Sequence, residues 1–158
     1  MTTVSSKPHI RWMISRDMPE VLSIEHRSFE VEWKHDDFMR CLRQRNSIGM
    51  CAESPDEIVI GYMIYELHKG YLDLLNFAVD PDYRRQGIGR SMVDKLKYKL
   101  TSQRRSSISL TIRESNLEGQ LFFRAMGFVA LEILRGHYDE TSEDGYLMRY
   151  RYEWRTQD

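Results

Sequence analysis

The sequence predicts a single α/β domain in which helices cover the faces of a mixed β-sheet. Its 158 residues are typical of one domain, and a composition of 41% hydrophobic and 30% charged residues is typical of a globular protein. The spacing of apolar residues alternates repeatedly between the period of a strand and that of a helix. Neither a repeat nor a linker is visible, so we expect a flexible tail over residues 1–8 and one domain over residues 9–155.

The first part of the chain is predicted to contain a strand, two helices and a hairpin. Asp17 and Glu20 have the spacing of a capping box, with Pro19 in the first helical turn. The residues between the two hairpin strands, Ser54-Pro55-Asp56-Glu57, favour a turn. The predicted elements are a strand over Ile10–Ile14, a helix starting at Asp17, a helix over Asp36–Gln44, and strands over Ile48–Glu53 and Ile58–Leu67.

The second part is predicted to contain four strands and two helices. The helix after the glycine-rich stretch carries an apolar stripe at every fourth residue: Ile88, Met92, Leu96 and Leu100. Gly127 follows the last helix, as glycine commonly does. The other predicted elements are strands over Tyr71–Val79 and Ser106–Arg113, a helix over Asn116–Met126, and strands over Phe128–Arg135 and Tyr146–Trp154. The order is therefore β-α-α-β-β-β-α-β-α-β-β.

Charge and composition argue against several classes of protein. A net charge of −1 is unlike that of a general nucleic-acid binder. Apolar runs are only a few residues long, far from the roughly 20 that span a bilayer, and residues 1–7 lack the apolar core of a secretion signal. Two cysteines are too few for a disulfide framework, and the five histidines form no metal-binding pattern. We expect a soluble cytoplasmic protein without a metal, with Cys41 and Cys51 as packing thiols.

A basic, glycine-bearing turn precedes the helix with the apolar stripe. Glycines at positions 87 and 89 let main-chain amides approach a ligand, and the helix N-terminus adds its positive dipole end. The sequence Arg84-Arg85-Gln86-Gly87-Ile88-Gly89-Arg90 also brings three arginines. It lacks the Gly-Lys-Ser/Thr of a P-loop and the third glycine of a dinucleotide fingerprint. The turn alone is compatible with a pyrophosphate site or with an ordinary strand-to-helix connection.

The stretch Val79-Asp80-Pro81-Asp82-Tyr83-Arg84-Arg85-Gln86-Gly87-Ile88-Gly89 resembles motif A of the GCN5-related N-acetyltransferases, whose signature is Arg/Gln-x-x-Gly-x-Gly/Ala. Ile112–Asn116 and Phe122–Phe128 resemble the second strand-helix block of that family, and Ile24–Phe29 with Trp33 resembles the first-helix region of its protein N-terminal acetylating branch. The resemblance implies about seven strands and four helices, with two central parallel strands that splay apart.

The resemblance also implies acetyl-CoA as the co-substrate. Its pyrophosphate would lie on the turn residues Arg84, Arg85, Gln86, Gly87, Ile88, Gly89 and Arg90. Its pantetheine arm would pair like an extra strand beside Phe77, Ala78 and Val79. Asn116 would contact the pantetheine or order the side of the site where the pantetheine lies, although its position also fits a helix N-cap. Phe123 is expected at the same cofactor site.

The base and the acid that are common in the similar N-terminal acetylating branch are replaced in this sequence. Thr111 stands where a base is common and Phe123 where a tyrosine acid is common, and neither side chain can do that job. Asp73 interrupts the apolar face of its strand and could accept the proton of the amine through water, or it could be a solvated strand-end carboxylate. Tyr138, expected in the loop before the last strand, could bind the acceptor, donate a proton or only pack.

The predicted function is transfer of an acetyl group from acetyl-CoA to a primary amine, with the α-amine of a protein N-terminus as the favoured acceptor. A small-molecule amine is the alternative acceptor, and a weakly catalytic CoA-binding module is the alternative class. No membrane or nucleic-acid partner is expected. Acidic groups in two regions, Glu25, Glu30 and Glu32 and then Asp139, Glu140, Glu143 and Asp144, could attract a cationic amine or form solvated loops.

Overall fold

The computed structural model describes residues 7–152, and in it seven strands and four α-helices follow the predicted order. The elements are β1 (His9–Trp12), α1 (Met18–Ser28), α2 (His35–Leu42), β2 (Ser47–Glu53), β3 (Val59–His68), β4 (Tyr71–Val79), α3 (Ile88–Ser102), β5 (Ser107–Arg113), α4 (Leu117–Ala125), β6 (Val129–Tyr138) and β7 (Glu143–Arg151). Residues 1–6 of the predicted tail and residues 153–155 of the predicted domain, Trp154 among them, lie outside the described residues.

The strands form one mixed sheet in the order β1-β2-β3-β4-β5-β7-β6, which confirms the predicted fold class. Strands β1, β2 and β3 pair antiparallel, as do β5, β7 and β6. β4 pairs with β5 in parallel, from Tyr71 opposite Ser107 to Leu74 opposite Leu110. The predicted central parallel pair is therefore β4 and β5.

The residues group into two compact units. The first contains residues 7–67 and 75–95, with β1 to β3, α1, α2, the second half of β4 and the start of α3. Its core is built from apolar side chains of α1, α2 and β3, where Phe38 makes edge contacts with Trp33 at 5.1 Å and with Tyr62 at 5.8 Å between ring centroids. These contacts cover one face of the antiparallel strands.

The predicted capping role of Asp17 is wrong. Asp17 precedes α1, but its carboxylate makes no hydrogen bond to that helix. It accepts from the guanidinium of Arg11 at 2.8 and 2.9 Å and from the main-chain amide of Ile14 at 2.8 Å. Because Asp17 is buried, the charged pair with Arg11 outweighs a helix cap, and it holds the pKa of Asp17 below its ordinary value.

The second unit contains residues 68–74 and 96–152. Its sheet is formed by β5, β7, β6 and the first residues of β4. Helix α4 packs through Phe123, whose ring lies 5.2 Å from that of Phe128. Strand β6 continues to Tyr138, which pairs with Glu143 at the start of β7. Tyr138 therefore ends a strand and does not lie in a loop as predicted, because the hairpin is longer and its turn shorter than the sequence suggested.

The stripe predicted on α3 is confirmed: Ile88, Met92, Leu96 and Leu100 are all buried. Cys51 is fully buried and burial raises its pKa to about 12, which agrees with the expected packing thiol. Among residues 7–152, the helices are too short or too polar to cross a membrane.

Candidate active site

Near the end of β4, the main-chain N–H and C=O groups of Phe77 and Val79 face the edge opposite β3. The Asp80 amide donates to the Ile60 carbonyl of β3 at 2.8 Å, so the main chain of Asp80 faces β3. Since successive residues of a strand point their main-chain groups to alternate edges, Phe77 and Val79 face the opposite edge. A ligand lying along this edge would meet the main chain at both residues.

Side chains already hydrogen-bond the main chain at that edge. The Asn76 side-chain oxygen accepts from the Phe77 amide at 2.9 Å, and Arg84 Nε donates to the Val79 carbonyl at 3.1 Å. Arg84 also donates to Ser28 Oγ at 3.2 Å. Arg84 therefore holds the end of β4 to α1, and its predicted contact with the cofactor stays a prediction.

The turn between β4 and α3 contains two residues in the left-handed region. Arg85 has a φ of 62° and Gly87 a φ of 80°. The conformation at Gly87 is one that glycine adopts at little cost, and a Cβ there would meet nothing within 4 Å. The glycine is therefore required by the backbone angle, and the space beside it is open.

The first turn of α3 contains amides that have no acceptor inside the helix. The Ser91 amide donates to the Gly87 carbonyl at 3.0 Å, which is the hydrogen bond that joins the turn to the helix. The amides of Ile88, Gly89 and Arg90 precede that bond and have no acceptor within the helix. They lie at the positive end of the helix dipole, where an anion is stabilised.

The side chains around these amides divide into exposed and buried groups. Arg85 and Arg90 are exposed, whereas Gln86 is half-buried. Ile88 is 2% exposed, so only its main chain is available to a ligand. The turn, with its open glycine, amides and two exposed guanidinium groups, fits a pyrophosphate. We call residues 84–90 the anion turn.

Asn116 caps α4, as the sequence suggested. Its side-chain oxygen accepts from the Gly119 amide at 2.9 Å, which satisfies one of the unpaired amides of the helix start. Phe123 is 6% exposed and makes edge contacts with Phe122 and Phe128. Contact of either residue with the cofactor stays a prediction.

Asp73 lies in the part of β4 that pairs with β5. It is opposite Ser109, whose hydroxyl donates to the Asp73 carboxylate at 3.4 Å. The side chain is half-buried, whereas its neighbours Leu72 and Leu74 are buried. Asp73 thus has partial access to solvent, as a base acting through water requires, and its catalytic role stays a prediction.

Tyr138 is held by an arginine that the sequence analysis did not single out. The Arg113 guanidinium lies 3.8 Å above the Tyr138 ring and also binds Glu140 at 2.5 Å and Glu143 at 3.2 Å. Burial is the main cause that raises the pKa of Tyr138 above its ordinary value of 10.0. The hydroxyl is therefore protonated at neutral pH and can donate a hydrogen bond.

Gly145 brings Tyr138 close to Thr111. A Cβ on Gly145 would stand 2.9 Å from the Thr111 methyl carbon and 3.2 Å from the Tyr138 ring. Glycine at this position lets both side chains pack over the same point of β7. Thr111, at the position where the similar enzymes often have a base, and Tyr138 are therefore neighbours. Their spacing in the sequence does not show this.

The two acidic regions are less available than the sequence suggested. Glu25 is 1% exposed, so its predicted place in a surface cluster with Glu30 and Glu32 is wrong. Its carboxylate accepts from Tyr62 and Asn76 inside the first unit. In the other region, Glu140 and Glu143 bind Arg113, and Asp144 binds Arg135 at 3.0 Å.

Comparison with known proteins shows the family to which the chain is similar. Residues 12–128 match the family model described as the acetyltransferase (GNAT) family. The chain is 27% identical over 150 residues to the [ribosomal protein bS18]-alanine N-acetyltransferase of Escherichia coli strain K12, with 94% of this chain and 96% of that protein covered.

Two solved structures share the fold. The ribosomal-protein-S18-alanine N-acetyltransferase from Escherichia coli has a TM-score of 0.81 at 23% identity, covering 96% of this chain and 99% of that one. Ard1 from Thermoplasma volcanium has a TM-score of 0.84 at 23% identity, covering 94% and 100%. At this identity the likeness shows the fold alone.

Proposed function

The chain belongs to the acetyltransferase (GNAT) family and is an acetyl-CoA-dependent N-acetyltransferase, and from that premise we propose that its acceptor is the α-amine of a protein N-terminus. The observation that carries the proposal is the similarity to the alanine N-acetyltransferase, which extends over 94% of this chain and 96% of that protein. An N-terminal alanine is the first acceptor to test.

The anion turn is the proposed site of the acetyl-CoA pyrophosphate. The support comes from the open space at Gly87, the three amides at the start of α3, and the exposed Arg85 and Arg90. The edge of β4 at Phe77 and Val79 is the proposed site of the pantetheine arm, because amide groups of a ligand can pair with main-chain groups there as a strand would.

Acetyl-CoA, when bound, would supply a thioester carbon to which the amine nitrogen bonds as the C–S bond breaks, so that CoA leaves as its thiolate. Asp73 is the proposed acceptor of the amine proton through water, because the residue is half-buried and water can reach its side chain. Tyr138 is the proposed hydrogen-bond donor to the acceptor peptide, since its hydroxyl stays protonated. Positioning by the chain then supplies much of the rate, because neither Thr111 nor Phe123 can replace the usual acid and base.

A weakly catalytic CoA-binding module is the second candidate. The observation that favours it is the replacement of the usual catalytic pair by Thr111 and Phe123, of which Phe123 is also buried. The two candidates differ in one measurable property: the weakly catalytic module would bind acetyl-CoA but release thiol only slowly with every amine.

The experiment follows release of free CoA thiol from acetyl-CoA with a set of amines. We expect rapid release with short peptides that begin with alanine, and slow release with the same peptides after α-amine blocking and with spermidine. Equal release with blocked and free peptides would contradict the proposal. Tight acetyl-CoA binding with only slow release in every mixture would favour the weakly catalytic binding module.

A further inference from the structure

A buried polar cluster lies beside the proposed pantetheine edge. It consists of Glu25 of α1, Tyr62 of β3 and Asn76 of β4, which are 1%, 0% and 9% exposed. The Tyr62 hydroxyl donates to Glu25 Oε1 at 2.5 Å, and Asn76 Nδ2 donates to the same oxygen at 2.6 Å. The main-chain amide of Trp33 approaches Oε2 at 3.4 Å.

Burying a carboxylate at this place is costly. Removal from water raises the pKa of Glu25, which measures the penalty on its charged form. An apolar residue in α1 would avoid this penalty and would pack well against the surrounding core. A buried acid that is bound by several donors therefore suggests a role in fixing the orientation of a neighbour.

The neighbour that Glu25 orients is the Asn76 side chain. A carboxylate oxygen accepts hydrogen bonds, so it selects the NH₂ end of the Asn76 amide. The other end, the carbonyl oxygen, then points to the Phe77 amide and accepts from it at 2.9 Å. If the Asn76 amide were reversed, its NH₂ group would face the Phe77 N–H, and two donors would meet.

The chain of contacts thus runs from Glu25 through Asn76 to the main chain of β4. Phe77 and Val79 present their main-chain groups to the edge opposite β3, as the Asp80 to Ile60 hydrogen bond shows. The Asn76 side chain holds the Phe77 amide at that edge and fixes the local path of the strand. Tyr62 binds the same carboxylate and also hydrogen-bonds the Asn76 side chain. The link from Glu25 to Phe77 is nevertheless made by Asn76 alone, through its Nδ2 and Oδ1 atoms.

We propose that Glu25 is a positioning residue for acetyl-CoA, which acts through Asn76 to hold the main chain of Phe77 in the conformation that receives the pantetheine arm. The inference rests on the proposed function, because it assumes that this edge of β4 binds the co-substrate. Glu25 touches no reacting atom, so its effect falls on co-substrate affinity and not on the chemical step.

The experiment compares substitutions of the two residues that bind the Glu25 carboxylate, Asn76 and Tyr62. Asn76→Ala removes the side chain that links Glu25 to Phe77, whereas Tyr62→Phe removes only the Tyr62 hydroxyl and keeps the Glu25–Asn76 and Asn76–Phe77 hydrogen bonds. Calorimetry measures the Kd of acetyl-CoA, and thermal unfolding measures stability. We expect Asn76→Ala to weaken acetyl-CoA binding by about tenfold, the size of one net hydrogen bond. We expect Tyr62→Phe to lower the Tm with a Kd within about twofold of the wild type.

Variants at Glu25 complete the test. Glu25→Gln keeps an acceptor oxygen for Asn76 and should bind acetyl-CoA as the wild type does, whereas Glu25→Ala should weaken binding as Asn76→Ala does. A folded Asn76→Ala protein with the wild-type Kd would overturn the inference even if Glu25→Ala does not fold. Equal losses of affinity in Tyr62→Phe and Asn76→Ala would also overturn it, because they would indicate a general loss of stability.

Gly87→Glu separates this inference from the proposed function. If it leaves the Kd of acetyl-CoA unchanged, the proposed cofactor site is wrong and the inference falls with it. If Gly87→Glu abolishes binding while Asn76→Ala binds as the wild type does, the cofactor site stands and only the role of Glu25 is overturned.

Discussion

Arg27 of α1 and Asp80, the residue after β4, form a two-point ion pair, with Nη1–Oδ1 at 2.9 Å and Nη2–Oδ2 at 3.0 Å. The same carboxylate accepts from the Asp82 amide at 2.9 Å. Asp80 is 8% exposed, whereas Arg27 is exposed, so the pair is shielded from solvent on the side of the carboxylate only. It fixes the start of the connection that leads into the anion turn.

The first prediction concerns stability and pH at this pair. Arg27 is the main cause that lowers the pKa of Asp80 below its ordinary value of 3.8. The pair therefore stabilises the folded protein above pH 3.8, and this contribution is lost as the pH falls through the lower folded pKa. We expect Asp80→Asn to cost about 1–3 kcal/mol at neutral pH, measured by urea unfolding, with the difference disappearing in acid.

Asp82→Asn is the matched control for that substitution. It changes an exposed carboxylate in the same short turn, and it should leave the free energy of unfolding within about 0.5 kcal/mol of the wild type. A stability difference for Asp80→Asn that persists unchanged below the folded pKa would show that the loss does not come from the ion pair.

The second prediction concerns the anion turn. Gly87→Glu places a side chain and a negative charge in the open space where the pyrophosphate is proposed, so we expect acetyl-CoA binding to fall below detection in calorimetry. Gly70→Glu is the matched control, because Gly70 also has a positive φ, 85°, and open space around it. It carries the same strain and charge, and it should bind as the wild type does.

The third prediction concerns Asp73. Asp73→Asn should lower kcat about 100-fold at acid pH, where the acceptor amine is protonated, and less at alkaline pH, where the amine is already neutral. Ser109→Ala removes the hydroxyl that donates to Asp73 but keeps the carboxylate, so its pH–rate profile should follow the wild type. A profile that Asp73→Asn leaves unaltered at every pH would exclude Asp73 as the base.

The fourth prediction concerns Tyr138. Tyr138→Phe keeps the ring beneath Arg113 and removes only the hydroxyl. We expect the KM of the acceptor peptide to rise about tenfold, the loss of one hydrogen bond, with the Kd of acetyl-CoA unchanged. A fall in kcat alone would instead identify the hydroxyl as the proton donor. No change in either constant would leave Tyr138 with packing only.

Local patterns predicted most of the fold. The boundaries of β4 at Tyr71 and Val79 and the buried stripe of α3 follow from apolar periodicity, which depends on neighbouring residues alone. The end of β6 was not predicted, because residues near Tyr138 are polar and their pairing with β7 is fixed by register across a hairpin. The wrong cap at Asp17 has a similar cause: its partner Arg11 lies before the helix.

The parts of the site that lie in one short segment of the sequence were predicted. The parts that depend on contacts between residues far apart in the sequence were not. The anion turn is one short segment, so its glycines and arginines were visible in the sequence. Glu25 was grouped with surface acids because its partners, Tyr62 and Asn76, lie 37 and 51 residues further along the chain. The Arg113 stack on Tyr138 was missed for the same reason.

The most direct test of the central claim is the position of the acetyl group on one peptide that contains two amines. The peptide begins with alanine and carries one internal lysine, and fragmentation in a mass spectrometer after reaction with acetyl-CoA locates the added group. An N-terminal acetyltransferase should place the acetyl group on the alanine α-amine and leave the lysine free. Acetylation of the lysine with a free N-terminus would contradict the account.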